Sequence, residues 1–345
     1  MTSREIVFRC LEFRNPDRAP RHLWATPFVP EFRKDEWDEV RRNFPDDITD
    51  PGPFIPRDSR GREVGPVPNS YVDDWGCIWI KGEPGVAGEV KTPPLADWFA
   101  LHAYSAPWQR LLGARWHETA EAQEKNLASD NPRFMMGWSS VRPFERLQFL
   151  RGTENLMLDL AEDSAEIRRL IALVHEYNLA ELEGWSKAGV DGVLFMDDWG
   201  SQRSLLISPA MWRSVFKPLY RQYCDLLKSG GKKIFFHSDG CIESIFGDLV
   251  ELGIDAVNSQ LFTMDIEGLA ARYKGKITFW GELDRQYAFP FGTIEDVRKN
   301  VGRVRRALDD GQGGVAAQFE WGAIVPKEKI YAAYEAWSEP IERLP

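Results

Sequence analysis

From residue 165 onward the chain alternates helix-period segments with short apolar ones, without a break, almost to its last residue. "EIRRLIALVHEYNLAELEGWSKAG" has helical spacing, and "VDGVLFMDD" follows as a short apolar strand ending in acid. "PAMWRSVFKPLYRQYCDLLKSGG" is a helix stopped by two glycines, as a helix C-terminus favours. "KKIFFHSDG" is a strand, and the pattern runs on through "IDAVNSQ", "KITFWGELD" and "GVAAQFEWG", each flanked by helical segments. Short apolar strands separated by helices imply parallel pairing through crossover connections, so the fold class is α/β. A doubly wound open sheet would also satisfy the alternation, but no GxGxxG or GxxxxGK[ST] loop accompanies it. A (β/α)8 barrel of the TIM type fits better.

The first half must then supply the other strands: "RAPRHLWAT", one in the middle of that half, and "RFMMGW". The chain reads as a single barrel domain over 1–345. Regular βα units fill 126–345, and long insertions rich in Pro, Gly and Trp interrupt 17–125, where lid or partner-contacting structure is expected. The N-terminus is an amphipathic helix whose Thr2 and Glu5 have capping-box spacing.

In such a barrel, chemistry gathers where strands end at the C-terminal face. Asp197, Asp198 and Trp199 follow "VLFM", and His237, Ser238 and Asp239 follow "KIFF". Asn258, Ser259 and Gln260 follow "DAV", Glu282 and Asp284 follow "TFW", and Glu320 and Trp321 follow "AAQF". Residues i and i+2 of an extended chain point the same way, so His237 and Asp239 can reach one ion. Neighbours point oppositely: one of Asp197 and Asp198 faces the mouth as a candidate catalytic acid and the other is an acid cap, the choice being open. Glu282 is read as inward-facing because Gly281 interrupts its strand. Trp24, Trp199, Trp280 and Trp321 are expected to form a flat apolar wall for substrate, with Asn258 and Gln260 as polar contacts. His22, His102, His117 and His175 show no partner spacing and are read as structural or surface residues; Tyr220 and Tyr223 are read as packing.

Lys plus Arg number 43 against 53 Asp plus Glu, a formal charge of −10, which argues against nucleic acid as a partner. No apolar run has the length to span a bilayer, the N-terminus does not read as a secretory signal, and a cytoplasmic location is expected. The four cysteines (Cys10, Cys77, Cys224, Cys241) form no CxxC pair and are expected as thiols.

"NPDRAP", "YVDDWGCIW", "GEVKTPPLADW", "PFERLQFLRGTENLMLDL", "FFHSDGCIESIFGDLVELGIDAVNSQ", "WGELDRQ" and "GAIVPKEKI" span nearly the whole chain. Together they resemble the uroporphyrinogen decarboxylase superfamily, which includes zinc methyltransferases serving corrinoid proteins. The resemblance implies the (β/α)8 barrel independently. The arginine pair that the decarboxylase carries after its first strand is missing from "RHLWATPFVPEFRK", where Arg21 precedes the strand and Arg33 lies well past it. In the methyltransferase branch the zinc ligands are a histidine, a cysteine two residues later and a cysteine near the last strand. Here the motif reads His237-Ser238-Asp239-Gly240, and Glu320 stands near the last strand. The resemblance therefore implies an oxygen-rich metal site of His237, Asp239, Glu282 and Glu320, with Cys241 as a softer alternative ligand. Zinc accepts such a set.

The leading expectation is a metal-dependent methyltransferase. It would move a methyl group from a methoxylated or methylated small molecule, possible aromatics included, to a corrinoid carried by a partner protein. The first alternative is a metal-independent decarboxylase or lyase of a carboxylated substrate. The second is a non-catalytic binding module of a corrinoid system.

Overall fold

The computed structural model describes residues 1–55, 69–82 and 88–345. Its strands, in chain order, are β1 (Arg21–Ala25), β2 (Ile48–Thr49), β3 (Ser70–Val72), β4 (Ile78–Ile80), β5 (Glu89–Thr92), β6 (Phe134–Trp138), β7 (Gly192–Met196), β8 (Lys233–Ser238), β9 (Ala256–Ser259), β10 (Thr278–Trp280) and β11 (Val315–Trp321). β3, β4 and β5 form a small antiparallel sheet inside the expected insertion. The other eight form a parallel sheet in the order β1-β11-β10-β9-β8-β7-β6-β2. This is a nearly closed (β/α)8 barrel. The middle strand expected in the first half is β2, only two residues long.

The seam between β2 and β1 is closed by few main-chain bonds and two carboxylates. The Asp47 N–H donates to the Arg21 carbonyl at 2.9 Å. In return the Arg21 N–H donates to Asp47 Oδ2 at 2.7 Å, and the Leu23 N–H donates to Asp46 Oδ1 at 2.8 Å. Arg18 grips Asp47 with two nitrogens at 2.6 and 2.8 Å. The same device recurs around the barrel floor: Asp191 accepts from the Met135 N–H, and Asp255 from the Ile234 N–H. A carboxylate just ahead of one strand thus supplies an acceptor for the first residues of the strand beside it.

Side chains alternate across each strand. Phe134, Met136, Leu194, Phe235, Ala256, Trp280 and Ala316 pack together inside the barrel. Met135, Val193, Phe195, Ile234, Phe236, Val257, Phe279, Ala317 and Phe319 belong to the outer layer beneath the helices. The N-terminal helix Ser3–Leu11 starts with the expected Thr2–Glu5 capping box. Its Val7 and Leu11 join the interior cluster, Phe8 packs on Phe134, and Arg4 pairs with Asp191 at 2.8 Å. The helix therefore plugs the floor of the barrel. No helix among the described residues is long and apolar enough to cross a membrane.

Candidate active site

The alternation on β7 decides between the two aspartates. Leu194 and Met196 belong to the interior, so Asp198 continues that side and Asp197 turns outward. Asp197 is fully buried and accepts the Phe144 and Glu145 N–H groups, each at 2.8 Å. These lie in the first turn of helix Pro143–Arg151, where orphan donors and the helix dipole favour an acceptor. Tyr220 donates its hydroxyl to Asp197 at 2.6 Å and accepts from Trp199 Nε1 at 2.9 Å. Burial holds the Asp197 carboxyl well above the usual range. Asp197 is thus a cap inside the outer layer rather than a catalytic acid, and Tyr220 is its hydrogen-bond partner as well as packing.

Asp198, His237 and Asp239 each bring a potential ligand atom within 4.8 Å of the other two. His237 Nε2 stands 3.6 Å from Asp198 Oδ1 and 3.6 Å from Asp239 Oδ1. Two close approaches hold the loops that carry these acids. The Asp239 N–H donates to Asp198 Oδ1 at 2.9 Å, and the Gly200 N–H donates to the Asp239 carbonyl at 3.0 Å. Gly240, at φ +76°, lies so close to Gly200 that a Cβ would fall 2.2 Å from its carbonyl carbon, so only glycine fits.

The metal set expected from sequence is only partly assembled. Glu282 and Glu320 pair with Arg285 instead of joining the trio: Nη1 lies 3.2 Å from Glu320 Oε2, and Nε lies 3.4 Å from Glu282 Oε2. Arg285 Nη2 also holds Asp239 Oδ2. Glu282 is buried, which pushes its carboxyl up to about 7 despite the opposing Arg285. Arg285 went unnoticed in the sequence; the signal was its place in "WGELDRQ", three residues past Glu282. Cys241, the alternative ligand, is half-buried and lies outside the trio.

The residues present fit a divalent cation. Asp239 Oδ1 is buried without a hydrogen-bond partner, and it faces His237 Nε2. His237 Nδ1 is engaged on the other side by Asn258 Oδ1 at 2.6 Å. A ring nitrogen between two carboxylate oxygens, one of them orphaned, is the donor set of a nitrogen- and oxygen-liganded ion. Asn258, expected to contact substrate, is instead fully buried behind His237, and its Nδ2 donates to the Trp280 carbonyl and Gln318 Oε1. Gln260 is half-buried one residue beyond β9, its carbonyl accepting from Thr263.

The four expected tryptophans divide evenly. Trp24 packs 5.3 Å from the His237 ring and 5.2 Å from Trp280, inside the barrel. Trp280 is buried there against His22, with the rings parallel at 5.3 Å. His22 is therefore an interior residue beneath the mouth, and burial lowers its pKa to about 3. Trp199 and Trp321 turn outward and are fully buried: Trp199 stacks on Phe144 at 4.3 Å, and Trp321 lies under Arg33 with Nε1 bonded to the Val325 carbonyl. Neither lines the mouth. Their place is taken by Trp138, the last residue of β6, 5.4 Å from Trp24 and 40 % exposed.

A further carboxyl emerges only from the fold. Glu145 lies 3.6 Å from Arg142. Burial raises its pKa, Arg142 opposes this, and Asp198 and His237 are near enough to act on it as well. The two arginines of the first-strand region are committed elsewhere: Arg21 packs over Phe44 and Tyr334, and Arg33 pairs with Glu36.

Comparison with solved structures returns a methyltransferase from Methanosarcina mazei at TM-score 0.68 and 14% identity, covering 98% of each chain. An endo-beta-1,4-xylanase from Gloeophyllum trabeum aligns at TM-score 0.37 and 11% identity, over 64% of this chain and 78% of that one. No curated protein matches the sequence. The family model described as uroporphyrinogen decarboxylase (URO-D) matches residues 131–329. That stretch carries β6 to β11 and every member of the Asp198–His237–Asp239 trio. By this match over more than half its length, the chain belongs to the uroporphyrinogen decarboxylase family.

Proposed function

We propose that the protein is a metal-dependent methyltransferase that takes a methyl group from a methoxylated or methylated small molecule. The observation that carries this reading is the unpartnered Asp239 Oδ1 facing His237 Nε2, with Asp198 Oδ1 completing the set. Asp198, His237 and Asp239 would hold the ion, zinc foremost, and a bound divalent ion would supply Lewis acidity to the heteroatom that bears the methyl group. The likeness in fold to a methyltransferase over 98% of each chain supports the same reading.

The remaining roles fall to side chains. Trp24 and Trp138 give an apolar wall beside His237, suited to an aromatic substrate. Arg285 holds Asp239 Oδ2, which leaves Oδ1 directed at the ion position. Glu145, whose carboxyl keeps its proton more readily than an exposed one, would protonate a leaving oxygen. The acceptor in this reading is a corrinoid on a partner protein, approaching the rim where Tyr287, Phe291 and Ile324 are exposed. Tetrapyrrole decarboxylation is disfavoured, because Arg21 and Arg33 are committed elsewhere and Arg285 is already shared among three carboxylates.

Protein purified without a metal-binding tag should contain about one equivalent of zinc by elemental analysis, the stoichiometry of a three-ligand site with one open position. His237→Ala should lose the metal and methyl transfer together. Turnover that survives in metal-free protein would refute the assignment.

A further inference from the structure

We propose that Asn258 and Gln318 are positioning residues that lock His237 in the tautomer protonated at Nδ1, leaving the Nε2 lone pair directed between Asp198 and Asp239. This rests on the metal reading above and adds to it the part of the site that sets the ligand's direction.

The argument starts from a group that cannot change roles. Asn258 Nδ2 lies 2.5 Å from the Trp280 main-chain carbonyl, and a carbonyl only accepts. The Asn258 amide therefore cannot be turned over, and its oxygen is the atom 2.6 Å from His237 Nδ1. An oxygen acceptor there requires a hydrogen on Nδ1. The neutral ring carries one N–H, so in that form Nε2 keeps its lone pair. Gln318 completes the arrangement. Its Oε1 takes the second Asn258 amide proton at 2.7 Å, while its own Nε2 remains buried without a partner.

Packing keeps this relay in place. Asn258 on β9 and Gln318 on β11 are both fully buried. β10 runs between them in the sheet, and at its end Gly281 (φ +80°) leaves the space Gln318 fills: a Cβ there would sit 2.0 Å from Gln318 Oε1. With Nε2 unprotonated, Asp239 Oδ1 faces a lone pair at 3.6 Å and has no internal hydrogen to share, while Asp198 Oδ1, also 3.6 Å from Nε2, already accepts the Asp239 N–H. The arrangement calls for an external cation. Outer partners that fix a histidine's tautomer in this way typically contribute about 10–100-fold to metal affinity.

The test is made on the metal-free full chain labelled with 15N-histidine, at about pH 8 where an ordinary imidazole is neutral. Long-range 1H–15N correlation should show His237 protonated at Nδ1, its signals assigned by their loss in His237→Gln. Asn258→Leu keeps the side-chain bulk and removes the acceptor. It should move the proton toward Nε2 and weaken zinc binding by about 10–100-fold in a calorimetric titration. Gln318→Met should shift both readouts in the same direction by a smaller factor. A wild-type His237 protonated at Nε2 overturns the proposal outright, whether or not any variant folds. So does a folded Asn258→Leu, checked by circular dichroism, with unchanged tautomer and zinc affinity. A wild-type ring protonated at Nδ1 in a protein that takes up no zinc would uphold the lock and remove the metal reading instead.

Discussion

His22 illustrates how a single side chain in the barrel is tied to pH. Its ring lies parallel to Trp280, inside the barrel and away from water, and burial lowers its pKa from 6.5 to about 3, with Arg41 adding to the effect. The folded state therefore binds its proton later than the unfolded chain does. The stabilisation is fully present above about pH 6.5 and is lost as pH falls toward 3. His22→Phe keeps an aromatic ring on Trp280 and cannot titrate. The wild type should lose about 2–3 kcal/mol relative to this variant between pH 7 and 4.5, read from urea midpoints at each pH. Parallel curves for the two proteins would show that His22 is not buried as a neutral ring. At this scale the sequence was legible where a residue's chemistry was unusual and illegible where its direction mattered. His237 and Asp239 stood out as a motif. Asp197 and Asp198, or Glu320 and Trp321, differ only in which side of a strand they leave, and a one-residue uncertainty in a strand end exchanges them.

Among the elements, β2 is the one least able to hold its place alone. Two residues give almost no ladder, and the buried Asp47 compensates by binding Arg18 and the Arg21 N–H. Asp47→Ala should cost about 3 kcal/mol, the range for breaking a buried ionic and hydrogen-bonded group, measured by chemical denaturation. Loss of less than about 1 kcal/mol would mean that β1 and β2 are joined by other contacts. The longer strands were readable from their apolar runs and the helices from their 3.6-residue spacing. β2 was expected only by count, with no position, because a two-residue strand held by side-chain carboxylates has no hydrophobic period to detect. The Arg285 cluster escaped for a related reason. Glu282 and Glu320 stand at the ends of adjacent strands, and only their spatial meeting shows that an arginine, rather than an ion, lies between them.

For the molecule as a whole, the helix Ser3–Leu11 ties the chain's start to the barrel's interior. Val7 and Leu11 are buried against interior residues contributed by strands far along the sequence. Truncating both to alanine should destabilise the barrel by about 3–5 kcal/mol, from lost burial and the cavity left behind. The unfolding transition should move as one when followed by tryptophan fluorescence and by circular dichroism. Two separated transitions would show that the helix is an appendage.

That stopper also dictates traffic. Among the described residues the floor is closed by this helix and the site lies at the mouth beside Trp138, so under the reading proposed above the methyl donor and the methyl carrier would use the same opening, and the spent donor would have to clear it or share it with the incoming carrier. On that reading exchange would proceed by taking turns, and donor and acceptor should each slow the other's arrival when present in excess.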